Sequence, residues 1–149
     1  MGRSASIDFK VQQFTSRTLD VVHALLEGGW SYDDNGHIQY APLGDLECSD
    51  WQWAGLHEWE MVCNIIRKKE QHDEMIGLSL GWGDDQDNSG CIFLFRPTEC
   101  LIMIIINWNR RCIAESPDLT DYTWYLQRLV PPFEKAGLRI ESLQCFDHV

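Results

Sequence analysis

The sequence predicts an α+β domain, a mostly antiparallel sheet of four to five strands with three helices packed on it. Three observations lead there. Apolar residues recur with a helical period as far as Asp73, then switch to a strand period in Ile76–Trp82, Cys91–Phe95 and Leu101–Trp108. Those runs are joined by the short polar stretches Gly83–Gly90 and Arg96–Glu99, which suit antiparallel hairpins. The 149 residues, with 44% hydrophobic and 23% charged, fit one domain spanning 1–149.

Ser16–Glu27 reads as the first helix. Ser16 is placed to cap it, Leu19, Val22, Leu25 and Leu26 form its apolar stripe, and Gly28-Gly29 stops it. Tyr32–Gly36 is then a polar turn, His37–Tyr40 a short strand and 42–48 a loop. A second helix is expected from Ser49 or Asp50 to about Asp73. At about 100° per residue, Trp51 and Trp59 fall on a buried stripe with Gly55, Val62 and Ile66. Trp53 falls about 200° away, among His57, Glu60, Asn64 and Arg67. Either the 42–48 loop covers that ring, or it stands exposed as an aromatic anchor inside a carboxylate rim.

The run Leu101–Ile106 has no polar alternation, so it reads as a central strand covered on both faces. Ser116-Pro117-Asp118 starts the last helix, with Leu119, Tyr122, Leu126, Leu129 and Val130 on one side. Pro131-Pro132 kinks or ends it, because proline lacks the helix donor and clashes with the preceding turn. Gly137 is a stop and Leu138–Phe146 a final strand.

The charge balance narrows the function. Twelve Lys and Arg against 23 Asp and Glu leave a net charge of −11, a field that repels nucleic acid and anionic membrane and attracts basic proteins. It is unevenly spread: Thr18–Ile66 holds nine acids and no Lys or Arg, followed at once by Arg67-Lys68-Lys69. A one-signed block in a folded domain tends to become a one-signed face. The first ten residues lack the apolar core of an export signal, and the longest apolar run is too short to span a bilayer. Six cysteines without a CxxC are then expected to be reduced thiols in a cytoplasmic protein.

Enzyme and metal signatures are weak. Gly77-Leu78-Ser79-Leu80-Gly81 matches GxSxG, but a nucleophile elbow needs a helix straight after the serine, and an acidic turn and a strand follow instead. Asp85-Gln86-Asp87-Asn88-Ser89-Gly90 copies half a calcium loop, yet the closing position is Arg96 where a bidentate carboxylate is required. The five histidines show no zinc spacing. No catalytic residue, metal or cofactor is therefore expected. A small enzyme built on a Cys–His pair is kept as an alternative, because such partners meet in space rather than in sequence.

Asp33-Asp34, the segment Asp45–Trp53 and Gly83-Asp84-Asp85-Gln86-Asp87 carry a resemblance in style to bacterial immunity proteins of contact-dependent inhibition and related polymorphic-toxin systems. The resemblance implies a small non-enzymatic cytoplasmic inhibitor that neutralises a basic toxin domain, most naturally a nuclease, with no nucleic acid or membrane partner. Carboxylates would then stand where phosphates bind. The partner-binding set expected is Asp33, Asp34, Asp45, Glu47, Asp50, Trp53, Glu60, Asp84, Asp85 and Asp87. A phage-encoded acidic inhibitor of a nucleic-acid-binding defence complex follows the same charge logic.

Overall fold

The computed structural model describes residues 4–14, 16–83 and 88–148. Strand β1 (Ser4–Val11) comes first, then helix α1 (Thr18–Glu27) and the short strands β2 (Trp30–Ser31), β3 (His37–Tyr40) and β4 (Gln52–Gly55). Helix α2 (Trp59–Gln71) leads into β5 (Ile76–Trp82), β6 (Ser89–Arg96) and β7 (Leu101–Trp108). A small ribbon of β8 (Cys112–Ile113) and β9 (Ser116–Thr120) precedes α3 (Tyr122–Lys135) and β10 (Ile140–His148).

The α+β class holds, but the main sheet has eight strands rather than four to five. Its order is β10-β1-β7-β6-β5-β3-β4, with β2 beside β5, and the pairings are antiparallel. β1 lies outside the expected set although it alternates cleanly: Ala5, Ile7, Phe9 and Val11 are buried, while Ser6, Asp8 and Lys10 point the other way. All three helical starts also move: α1 begins at Thr18 without a cap from Ser16, whose hydroxyl donates to the Ala136 carbonyl instead. Residues 52–55 form β4, so α2 begins at Trp59 after a 3₁₀ turn over Leu56–Glu58, not at Ser49 or Asp50. Ser116–Thr120 pairs as β9, and α3 begins beyond it, where the Asp121 carboxylate accepts the Trp124 N–H.

All three helices contribute to the one core on the inner sheet face. Val21, Val22 and Leu25 of α1, Val62 and Ile66 of α2, and Tyr125, Leu129 and Phe133 of α3 join Ile7, Phe9, Phe93, Phe95, Ile102 and Ile104. Phe133 meets Phe9 edge to face at 5.1 Å. Pro131 and Pro132 lie inside α3 rather than ending it. Proline at 132 gives no N–H to the Arg128 carbonyl one turn earlier, and the Trp30 indole Nε1–H donates to that oxygen instead, at 2.9 Å.

The outer sheet face is covered in part by a strap, residues 41–51. Ala41, Cys48 and Trp51 close a second apolar cluster with Met75 and Leu94. One buried lysine ties the strap down: Lys69 Nζ donates to Pro42 O (2.7 Å), Asp45 O (3.0 Å) and Glu74 Oε1 (3.2 Å), which uses all three of its protons. Glu74 also accepts the Gly44 N–H at 2.7 Å. Beyond the strap, Ile105 of β7 is exposed, so that strand is fully covered on one face and only in part, at Met103, on the other. Among the described residues no helix is long and apolar enough to cross a membrane.

Candidate functional site

The β3–β4 edge gathers the chemistry that the sequence singled out. Its approach is a two-residue hairpin turn. Asn35 and Gly36 both have positive φ (53° and 86°), and Asp34 and His37 exchange backbone hydrogen bonds of 2.8 and 3.1 Å across it. Asn-Gly is the dipeptide that such a turn favours, so this signal was present in the sequence. The Asp33 carboxylate accepts the Gly36 N–H at 2.8 Å and stabilises the bend. Asp34 is partly desolvated; that burial, with the charge of Asp33, raises its carboxyl above the ordinary value, and His37 opposes the rise.

Register then decides where Trp53 goes. β3 and β4 pair Ile38 with Ala54 and Gln39 with Trp53. Ile38 and Ala54 are buried, so Gln39 and Trp53 take the outward face. Trp53 is 56% exposed, and the His37 ring stands edge-on to it at a centroid distance of 6.2 Å. The three tryptophans of the 51–59 stretch therefore have three separate environments. Trp51 lies under the strap against Gly77, Trp53 faces out from the edge strand, and Trp59 stacks on Tyr32 at 4.2 Å and 10°. The expected shared stripe of Trp51 and Trp59 does not form, because Trp51 precedes a strand and not a helix.

The corner is closed by the start of α2. Glu58 accepts the Gly55 N–H at 3.0 Å, and the His57 ring lies so close over Gly55 that a Cβ there would sit 2.7 Å from it. Glu60 is exposed in the first helical turn, where a carboxylate is favoured by the helix dipole. Asp33, Asp34, Trp53 and Glu60 thus belong to elements that meet at one corner, with His37 beside Trp53 and His57 over Gly55, two residues outside the expected set.

The strap carries the next group, past the opposite end of β4. Glu47 and Asp50 are exposed. Asp45 is half-buried and engaged within the strap: its carboxylate accepts Asp50 N–H at 2.8 Å and Ser49 N–H at 3.1 Å. Desolvation acts to raise its carboxyl, but those N–H groups and the Lys69 charge outweigh it and hold the value low. Asp84, Asp85 and Asp87 lie outside the described residues.

The open ring of Trp53 is thus exposed together with the carboxylates of Asp33, Glu47, Asp50 and Glu60. Four clefts, one of them about 460 Å³ between Phe14, Met75 and Arg96, are lined by none of the expected partner-binding residues. Ser79 sits in mid-strand with its hydroxyl buried, so the elbow geometry is absent. Burial pushes the Cys48 and Cys63 thiols up to about 11, away from the thiolate that nucleophilic attack requires. Among the described residues no group of three or more His, Cys, Asp or Glu is placed to hold a metal ion. No family model, curated protein or solved structure matches the chain.

Proposed function

We propose that this chain is a non-enzymatic, immunity-type inhibitor that binds a basic protein domain, most naturally a toxin nuclease, through the β3–β4 corner. The observation that carries the reading is Trp53: a tryptophan 56% exposed on an edge strand, with Asp33 and Asp34 on the adjoining turn, Asp50 just before the strand and Glu60 just after it. An aromatic anchor inside a charged rim is how binding hot spots are built. The carboxylates set the encounter rate and partner choice, and the ring sets the lifetime of the complex. Asp45 acts one step back, by holding the strap that positions Glu47 and Asp50.

The test is to mix the purified chain with the toxin domain encoded beside it and to follow binding by stopped-flow fluorescence. Association is expected to slow at least about tenfold between about 50 mM and about 500 mM salt. Trp53→Ala is expected to speed dissociation by roughly 30-fold, the effect of losing about 2 kcal/mol at a hot spot. Absence of a complex sinks the reading; a salt-independent association rate removes its electrostatic half.

A further inference from the structure

Six apolar residues in succession mark β7 as a strand for burial on both faces, yet the helices cover one face and the strap only part of the other. The register shows what is left open. Phe146 of β10, Ser6 of β1, Ile105 of β7 and Ile92 of β6 stand in one row on the outer face. Beside it runs a second row of Gln144, Asp8, Met103 and Leu94. Ile105 and Phe146 are each 37% exposed, and Asp8 is desolvated enough to raise its carboxyl.

Charge separates this face from the rest of the molecule. Across β6, β7, β1 and the part of β10 from Ser142 onward, its charged residues among those described are Asp8, Lys10 and Arg96, and Arg96 is paired with Glu99 at 3.1 Å. Asp8 and Lys10 are next-but-one neighbours on β1, so the strip is close to neutral on a chain of net charge −11. A basic partner has little to gain from a neutral strip when acidic surface lies elsewhere. A second copy has the opposite requirement: two strongly negative molecules can meet only where neither presents net charge.

We infer that this open sheet face packs against the same face of a second copy of the chain, giving a two-fold sheet-on-sheet sandwich centred on β1 and β7. The aliphatic row supplies the contact, and the remaining charge of both copies opposes it. Self-association is therefore weak and is strengthened by salt, the reverse of the salt response proposed for the acidic corner.

Sedimentation equilibrium on the purified full chain tests this without any partner, so its outcome is independent of the proposed function. The association constant is expected to rise several-fold between about 50 mM and about 500 mM salt. Ile105→Lys is expected to lower it at least about tenfold. Ile113→Lys, at an exposed residue on the β8–β9 ribbon, is the control and should leave it unchanged. Should Ile105→Lys melt early, Phe146→Lys at the sheet edge decides in its place. A monomer at every salt concentration up to about 1 mM protein overturns the inference. So does a dimer that these outer-face variants leave intact, or one that Ile113→Lys weakens equally.

Discussion

At the scale of single residues, the small positions of β5 and β6 exist to seat indole rings. A Cβ on Gly77 would meet Trp51 at 2.8 Å, and one on Gly90 would lie 1.9 Å from the Trp108 ring. No rotamer adjustment of a few tenths of an ångström relieves the second clash. Gly90→Ala is therefore expected to expel Trp108 and destabilise the fold by about 1–3 kcal/mol, read by urea unfolding together with a red shift in tryptophan emission. A variant that unfolds with wild-type midpoint and emission would show that the ring does not need the glycine. The GxSxG string could be read as a strand with small residues on one face, and that is what it is. Which rings lie on those residues is not readable, because Trp51 reaches Gly77 from across the strap and Trp108 faces Gly90 only through a register shift between β6 and β7. Trp53 is similar. Its exposure follows from its pairing with Gln39 across β3, and a helical wheel contains no information about cross-strand pairs.

At the scale of elements, the long inner strands and the α1 stripe were legible because their periods are strong and their partners lie next along the chain. β4 was not. Four residues rich in tryptophan fit a helix as well as a strand, and what makes them a strand is a pairing formed across the strap. That the prolines of α3 do not end the helix has a related reason. Their effect depends on whether the freed carbonyl finds another donor, and that donor, Trp30, comes from β2. This makes a testable coupling. Trp30→Phe is expected to cost about 1 kcal/mol for the lost hydrogen bond, beyond the loss of ring contacts with Trp82 and Phe93. In a Pro132→Ala background the cost should shrink, because the alanine's own N–H reaches the Arg128 carbonyl within the helix. A double-mutant cycle by thermal or urea unfolding reads the difference; strict additivity would mean that the indole bond contributes nothing.

At the scale of the whole molecule, the acidic block from Thr18 to Ile66 supplies β2, β3, β4 and the strap, so much of the charge collects toward one edge of the sheet. The strap is tied there by the buried Lys69–Glu74 pair and by the Asp45 carboxylate, and that arrangement governs how the protein responds to acid. Glu74 is desolvated, which raises its carboxyl, but the Gly44 N–H and Lys69 outweigh this and leave it below the ordinary value; Asp45 is lowered in the same way. A carboxylate with a depressed folded value stabilises the fold fully above its unfolded value and loses that contribution as pH falls through the folded one. The strap should therefore stay closed at neutral pH and open as pH drops below about 4, where these groups ionise in an unfolded chain. Hydrogen exchange at the Ser49 and Asp50 amides, both bonded to Asp45, reports the opening directly. Lys69→Met should produce it at neutral pH: Glu74 is left buried without its cation, and the Pro42 and Asp45 carbonyls lose their donor, at a cost of roughly 3–5 kcal/mol. With the ammonium gone, the Gly44 N–H and His72 are left to hold Glu74 down, so any residual acid transition moves to higher pH. If those amides exchange at wild-type rates in Lys69→Met at pH 7, the lysine does not hold the strap, and the placement of Glu47 and Asp50 must rest on the apolar cluster around Cys48 and Trp51 alone.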